Sequence, residues 1–244
     1  MRDASNFSIQ DYPLASKLSA VLDKPVFIGN DADLGVMGEA WKGVARGYRN
    51  IVGIIIGTGI GGGIIINGRP YGGTSNAAGE IGHMVVDVNS MEICGCGQRG
   101  CFEALASRQA ISRQLHRRKH QRGDYDVRWE AINLGSNELA HYVRIGDTDA
   151  VETVRQASEI WGKATFSLLN VLNPDLVFFG GGFVQQLGED FLRPVREEVH
   201  KCMNSIYESK ERVVPIKLGE LDNPMLVGAC LLAVSEGMVD FWPL

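Results

Sequence analysis

The sequence lacks the features of several protein classes. It has no basic N-terminal segment followed by an apolar stretch, so we find no secretory signal. It has no excess of positive charge, because 24 Lys and Arg stand against 29 Asp and Glu, and the formal net charge is −5. That sign argues against nucleic-acid binding over the whole surface, which needs clustered cations. The composition, 45% hydrophobic and 22% charged, is close to the globular average and argues against a disordered or fibrous chain.

A membrane helix is also missing. The only long stretch without charge covers residues 50–68, and seven of its nineteen residues are glycine. So dense a glycine cluster indicates two short strands around a loop rather than a membrane span. We therefore expect a soluble, cytoplasmic protein without a membrane partner.

The hydrophobic pattern predicts alternating helices and strands. Apolar spacings of three and four predict helices over residues 14–22, 32–45, 103–118, 128–143, 151–172, 189–207 and 224–234. Apolar or β-branched runs predict strands over residues 25–29, 51–56, 64–66 and 176–179. The runs 51–56 and 64–66 are expected to be antiparallel neighbours. Such alternation implies an α/β fold in which helices cover a sheet.

Cysteine and histidine residues cluster in one loop. His83, Cys94, Cys96 and Cys101 make a Cys₃His set, which suits a closed, tetrahedral structural zinc site. The glycines at 95 and 97 would let the backbone fold tightly around the ion. The alternative is a set of free cysteines in a loop.

A glycine-rich run covers residues 57–63. It matches G-x-G-x-x-G, but a dinucleotide fingerprint must open a helix and this run opens a strand, so that interpretation fails. Its backbone N–H groups could still receive an anion. The alternative is a glycine-rich hairpin without a ligand.

Several polar residues suit a sugar site. Asn30-Asp31 precedes a predicted helix, where it either caps the helix or offers a carboxylate that accepts a proton from a hydroxyl nucleophile. Glu80 lies three residues before His83, and Glu103 two residues after the last clustered cysteine. These groups could hydrogen-bond vicinal hydroxyls. The basic run 113–122 is interpreted as a solvated face.

Taken together, these residues resemble the ROK family of repressors, open reading frames and sugar kinases, over residues 11–237. The resemblance depends on Gly-Asn-Asp-Ala-Asp at 29–33, the glycine run, Ala-Gly-Glu-Ile-Gly-His at 78–83 and Gly-Gly-Gly at 180–182. Its most specific part is the combination of Glu-Ile-Gly-His with Cys-Gly-Cys-Gly-Gln-Arg-Gly-Cys-Phe-Glu at 94–103.

The resemblance implies the two-lobed, ribonuclease H-like fold that hexokinase, actin and Hsp70 share, with sugar and ATP meeting in a cleft. Residues 1–46 would be the remnant of the N-terminal lobe. Residues 47–244 would form the C-terminal lobe, with the zinc loop at 80–103 and the last helix, 224–237, packing back toward the N-terminal lobe.

The resemblance also implies roles for individual residues. Asp31 would be the catalytic base, and His83 would contact the sugar with one ring nitrogen and zinc with the other. The implied hexose ligands are Asn30, Asp31, Glu80, His83 and Glu103. The implied ATP-binding residues are Gly57, Thr58, Gly59, Gly61 and Gly62 in the second phosphate loop, with Gly180, Gly181, Gly182 and Gly228 on the adenosine side. Mg²⁺ with ATP and a homo-oligomer, a dimer or tetramer, are expected.

One departure from the family pattern matters. The first phosphate loop of family kinases, Asp-x-Gly-Gly-Thr, does not occur in this sequence. We therefore expect a fragment or truncated form of a glucokinase-like, ATP-dependent hexose kinase, with weak or no activity alone. The alternatives are the sugar-sensing domain of a ROK-type transcriptional regulator without catalysis, and a degenerate paralogue kept as a structural subunit. The sugar itself is not identified by the sequence.

Overall fold

The computed structural model describes residues 3–4, 9–10, 12–124, 133–203 and 214–237. In these ranges the chain forms seven strands, nine α-helices and one short 3₁₀ helix at Ile81–His83. In chain order the elements are β1 (Asp3–Ala4), β2 (Ile9–Gln10), α1 (Leu14–Leu22), α2 (Asp31–Lys42), β3 (Ile51–Ile56), β4 (Ile60–Ile66), β5 (Arg69–Pro70), α3 (Phe102–Ala106), α4 (Arg108–Gln121), α5 (Ser136–Arg144), α6 (Thr148–Leu172), β6 (Leu176–Gly180), α7 (Gly182–Leu187), α8 (Glu189–Cys202), β7 (Ile216–Leu218) and α9 (Pro224–Val234).

A five-stranded sheet in the order β5-β4-β3-β6-β7 forms the centre. β3 and β4 are antiparallel, from Ile51 opposite Ile65 to Ile56 opposite Ile60, which confirms the predicted pair. β6 runs parallel to β3, and β7 runs parallel to β6. Every residue of β3 and β6 is buried, because helices cover both faces of these central strands.

The two faces of the sheet have separate hydrophobic cores. Phe179 points into the larger core, where the rings of Trp161 of α6 and Phe191 of α8 pack at a tilt with centroids 4.6 Å apart. Phe178 points to the opposite face and packs with Val36 of α2 and the residues around it. Consecutive residues of one strand thus serve two cores, as the pleat of a strand requires.

Helix α6 begins earlier than its apolar pattern predicts. The stripe predicted a helix over 151–172, and the structure confirms it with a start at Thr148. The carboxylate of Asp147 accepts hydrogen bonds from the backbone N–H groups of Asp149 and Ala150, which caps the first turn. Asn173 ends the helix in the left-handed conformation at φ 42°.

Three predictions about local structure are wrong. Residues 25–29 form no strand, and Phe27 and Ile28 are exposed, because no described strand lies beside them to complete a hydrogen-bonded ladder. The single helix over 103–118 is two helices, since the hydroxyl of Ser107 caps α4 by accepting from the N–H of Ala110. The solvated face over 113–122 is interrupted by Lys119, which is buried and paired with Asp147.

Other boundaries differ by a few residues. The loop within the glycine run is shorter than predicted, because residues 60–63 already belong to β4. Helix α7 was not predicted. The predicted helices 128–143 and 189–207 lie partly outside the described residues, and their described parts are α5 and α8.

Helices α2 and α9 touch backbone to backbone. A methyl carbon added to Gly38 would lie 2.0 Å from the carbonyl oxygen of Pro224, and one added to Gly228 would lie 1.8 Å from that of Leu34. Beside this crossing, the buried carboxylate of Glu39 accepts hydrogen bonds from the N–H groups of Val44 and Leu221, both at 2.9 Å. α2 is therefore fixed at its C-terminal end to the segment that leads into α9.

Helix α1 forms as predicted but buries none of its residues. Val21 is 80% exposed, and the apolar residues 27 and 28 that follow the helix are exposed too. None of the described helices is both long enough and apolar enough to cross a bilayer.

The α2–α9 crossing predicts a contrast between two glycines of one helix. Gly38→Ala should lower the free energy of unfolding by about 2 kcal/mol or more, because the added carbon overlaps backbone that cannot rotate away. Gly35→Ala should leave it unchanged or raise it by up to about 1 kcal/mol, since its nearest new neighbour is Met225 Cγ at 3.6 Å and alanine favours the helix. Urea unfolding of both variants measures the difference. Equal losses in the two variants would contradict the contact.

Candidate functional site

A cleft of about 870 Å³ opens where α2 begins, beside the β3–β4 turn and the loop that carries the cysteines. Its volume lies in the range that small-molecule sites occupy. Of the residues that the sequence singled out, the cleft is lined by Asn30, Asp31, Gly57, Thr58, Gly59, Gly61, Gly62, Glu80, His83, Cys94, Cys96 and Glu103. The structure thus brings the expected sugar ligands and the glycine turn together.

The start of α2 shows which residue of Asn30-Asp31 caps the helix. Asn30 is the N-cap, because its side-chain oxygen accepts from the N–H groups of Ala32 at 2.9 Å and Asp33 at 3.2 Å. Asp31 is the first helical residue, and it is exposed in the cleft. Capping therefore accounts for the asparagine and leaves the aspartate carboxylate accessible to a ligand.

Asp33 is a cleft residue that the sequence reasoning missed. It lies in the same first turn as Asp31 and lines the same cleft, so the Asp-Ala-Asp spacing was the available signal. Burial, with the nearby carboxylates of Glu80 and Asp31, raises its pKa from 3.8 to about 6. The cleft therefore holds several carboxylates close enough to affect one another.

Glu103 connects the cysteine loop to the glycine turn. Its Oε2 accepts a hydrogen bond from the N–H of Ile60 at 3.0 Å. A methyl carbon added to Gly59 would lie 2.1 Å from that same oxygen, so Gly59 is needed to make room for the carboxylate. Gly57 differs, because nothing lies within 4 Å of such a carbon there. The turn is thus tightly packed at one glycine and open to a ligand at the other.

The four predicted metal ligands converge. One ligand atom from each of His83, Cys94, Cys96 and Cys101 lies within 4.8 Å of all the others. The Cys94 Sγ to His83 Nδ1 distance is 3.5 Å and the Cys96 Sγ to Cys101 Sγ distance is 3.7 Å. Tetrahedral zinc, with bonds of about 2.3 Å to sulfur and 2.0–2.1 Å to nitrogen, would separate such pairs by about 3.6 Å and 3.8 Å. The donor set and its spacing fit zinc.

The environment of the thiols agrees with that fit. Burial is the main cause that raises the pKa of the Cys94 thiol to about 12, so a cation is needed to hold it as a thiolate. His83 turns Nδ1 toward Cys94, and its Nε2 lies 3.8 Å from Glu80 Oε2. One ring nitrogen therefore faces the thiols while the other faces a carboxylate of the cleft.

The remaining predicted glycines lie elsewhere. Gly180, Gly181, Gly182 and Gly228 do not line this cleft. Gly181 has φ 107°, and a methyl carbon there would lie 2.1 Å from the carbonyl oxygen of Ile56, while Gly228 allows the close crossing of α2 and α9. Backbone packing accounts for these two glycines, and the predicted adenosine contact stays a prediction.

Comparison with known proteins identifies a family and several relatives. The ROK family profile matches residues 2–236. A glucokinase of Halalkalibacterium halodurans is 34% identical over 200 residues, 80% of this chain and 59% of the relative. The xylose repressor of Bacillus subtilis is 33% identical over 215 residues, 88% of this chain and 52% of the relative. The chain therefore spans somewhat more than half the length of these two relatives.

A solved structure extends the likeness to three dimensions. The ROK family glucokinase of Streptomyces griseus, crystallised with glucose and AMPPNP, superposes with a TM-score of 0.82 at 28% identity. The match covers 96% of this chain and 76% of that one.

The raised pKa of Asp33 predicts a pH-dependent stability difference. The folded state binds the proton of the Asp33 carboxyl more tightly than the unfolded chain does. Ionisation of Asp33 therefore lowers the free energy of unfolding as the pH rises from about 4 to 6, and the whole loss is present above pH 6. Asp33→Asn should therefore raise the free energy of unfolding at pH 7.5 by about 1 kcal/mol, discounted for partial exposure, with little effect at pH 4.

Chemical denaturation at the two pH values measures this difference. Asp23→Asn, at an exposed position outside the cleft, is the control and should show no pH-dependent gain. A gain for Asp33→Asn of the same size at both pH values would show that ionisation is not its cause.

Proposed function

This chain belongs to the ROK family, and on that premise we propose that it is the part of a glucokinase-like sugar kinase that binds a hexose and removes the proton from the hydroxyl to be phosphorylated. Its α/β fold is the hexokinase/actin-like fold of the ROK sugar kinases. The observation that carries the proposal is the exposed carboxylate of Asp31, which shares one cleft with Glu80, Glu103 and the open glycine turn.

The proposed chemistry follows from these groups. Asp31 accepts the proton of the sugar hydroxyl as its oxygen bonds to the γ-phosphorus of ATP, and the bond from that phosphorus to ADP breaks. Asn30, Glu80 and the Nε2 of His83 hydrogen-bond other sugar hydroxyls. The turn at residues 57–60 faces the phosphates, because the space that a side chain would fill at Gly57 is open. Mg²⁺ bound to the nucleotide would offset phosphate charge.

The same proposal assigns the two lobes and the side of the cleft that takes the adenosine. Residues 1–46 belong to the N-terminal lobe and residues 47–244 to the C-terminal lobe, with α9 packed on α2 where the two meet. Gly180, Gly181, Gly182 and Gly228 lie on the side that takes the adenosine.

We also propose one structural zinc ion held by His83, Cys94, Cys96 and Cys101. When bound, the ion would supply a closed tetrahedral cross-link. By fixing Nδ1 of His83, the thiol cluster orients Nε2 toward the sugar.

A sugar sensor without catalysis is the second candidate. It is favoured by the similarity to the xylose repressor of Bacillus subtilis, which covers 88% of this chain. Calorimetry separates the candidates, since a sensor binds sugar but not ATP and a kinase binds both. A chain that binds neither would be the structural subunit.

The kinase proposal predicts the effect of removing the base. In the protein that carries this sequence, Asp31→Asn should lower ATP- and Mg²⁺-dependent phosphorylation of the hexose by about 10²- to 10⁴-fold while sugar binding persists. A coupled assay over glucose, mannose, fructose and N-acetylglucosamine measures turnover. Asp23→Asn is the matched control and should keep full activity. Absence of turnover on every sugar would refute the kinase.

The zinc proposal predicts stoichiometric metal. Elemental analysis should find about one zinc per chain, and Cys101→Ser should lose most of it together with at least about 2 kcal/mol of the free energy of unfolding. Cys230→Ser, at an exposed cysteine outside the cluster, should retain both. Wild-type protein purified without chelators and free of zinc would overturn this part of the proposal.

A further inference from the structure

A buried arginine lies directly behind the glycine turn. Arg108 is the first residue of α4, and only 9% of its surface is exposed. Arginine is seldom buried to that extent unless a carboxylate pairs with it. Lys119 of the same helix follows the rule, because it is buried and pairs with Asp147.

Arg108 bonds to neutral groups instead. Its Nη1 donates to the side-chain oxygen of Asn133 at 2.8 Å and to the carbonyl oxygen of Leu134. Its Nη2 donates to Thr58 Oγ1 at 3.1 Å. Among the described residues no carboxylate forms an ion pair with this guanidinium. Within the described residues its positive charge is therefore not neutralised by a neighbouring carboxylate. Because the surroundings of a buried group have a low dielectric constant, the electrostatic effect of this charge extends further than it would in water.

Arg108 also holds the turn through its main chain. Its backbone N–H donates to the carbonyl oxygen of Gly57 at 3.1 Å, so the backbone and the side chain of one residue bind two consecutive residues of the turn. Thr58 is exposed and lines the cleft. Because its oxygen accepts from the guanidinium, the hydroxyl hydrogen must point elsewhere, and the open side is the cleft.

We propose that Arg108 is a positioning residue for the polyphosphate chain of a nucleoside triphosphate. It fixes the Thr58 hydroxyl as a hydrogen-bond donor toward the phosphates and places a buried positive charge behind the turn that receives them. This inference depends on the proposed kinase function, because it assigns a new residue to the nucleotide side of the same cleft. It predicts that the effect of Arg108 grows with the phosphate charge of the ligand and is absent for the sugar.

The test compares ligands that differ in phosphate charge. Calorimetric titration with MgATP, with adenosine and with the hexose is done on the wild type and on Arg108→Gln. MgATP affinity should fall about tenfold or more, while the affinities for adenosine and the hexose stay within about twofold. Arg118→Gln removes a charge from the same helix outside the cleft and should leave MgATP affinity unchanged.

A pair of variants at Thr58 keeps the test valid if Arg108→Gln does not fold. Thr58→Val removes the hydroxyl at an exposed position and should weaken MgATP binding, while Thr58→Ser keeps the hydroxyl and should restore it. The double variant Thr58→Val/Arg108→Gln should lose less MgATP affinity than the product of the two single losses, because both substitutions remove the same contact.

The outcomes separate the two proposals. If the wild type binds no MgATP, the kinase proposal fails and this inference fails with it. If the wild type binds MgATP and Thr58→Val binds as tightly, the inference is overturned and the kinase proposal survives. Equal loss of adenosine and MgATP affinity in Arg108→Gln would likewise assign Arg108 a purely structural role.

Discussion

The backbone contact between α2 and α9 is the constraint on which the position of the cleft depends. Gly38 and Gly228 remove the side chains that would separate the two helices, and Glu39 ties the C-terminal end of α2 to the segment before α9. Because these contacts hold α2 in place along its length, they also fix the position of its first residue, Asp31. The packing of α2 against α9 therefore determines where the carboxylate of Asp31 lies.

The carboxylates in the cleft lie close enough to repel one another, and a hydrogen-bonding ligand would offset that repulsion. Burial raises the pKa of Asp33 to about 6, and the charges of Glu80 and Asp31 add to that shift. Such like charges cost free energy in the empty protein. A polyhydroxyl ligand would reduce that cost, because its hydroxyl groups would donate hydrogen bonds to the carboxylate oxygens. The arrangement suits a neutral sugar and opposes a direct approach of bare phosphate to the Asp31 side.

Local pattern was enough to predict most of the central architecture. The β3–β4 pair, β6 and the long α6 follow from runs and stripes of apolar residues, and the cysteine cluster follows from residue type and spacing. The predicted strand at 25–29 failed because a strand depends on a partner that a local pattern does not contain. Asp33 and Arg108 were missed for a related reason. Their surroundings consist of residues far apart in the chain, such as Glu80 beside Asp33 and Thr58 beside Arg108.

The glycine turn is more constrained than its composition indicates. A glycine-rich loop suggests freedom of the backbone, yet this turn is held from two sides. Glu103 accepts from the N–H of Ile60 on one side, and Arg108 donates to Thr58 on the other. Gly59 is glycine because the carboxylate of Glu103 occupies the space of a side chain, whereas Gly57 has that space empty. Gly59 therefore allows the turn to be held rigidly, whereas Gly57 leaves open space beside it.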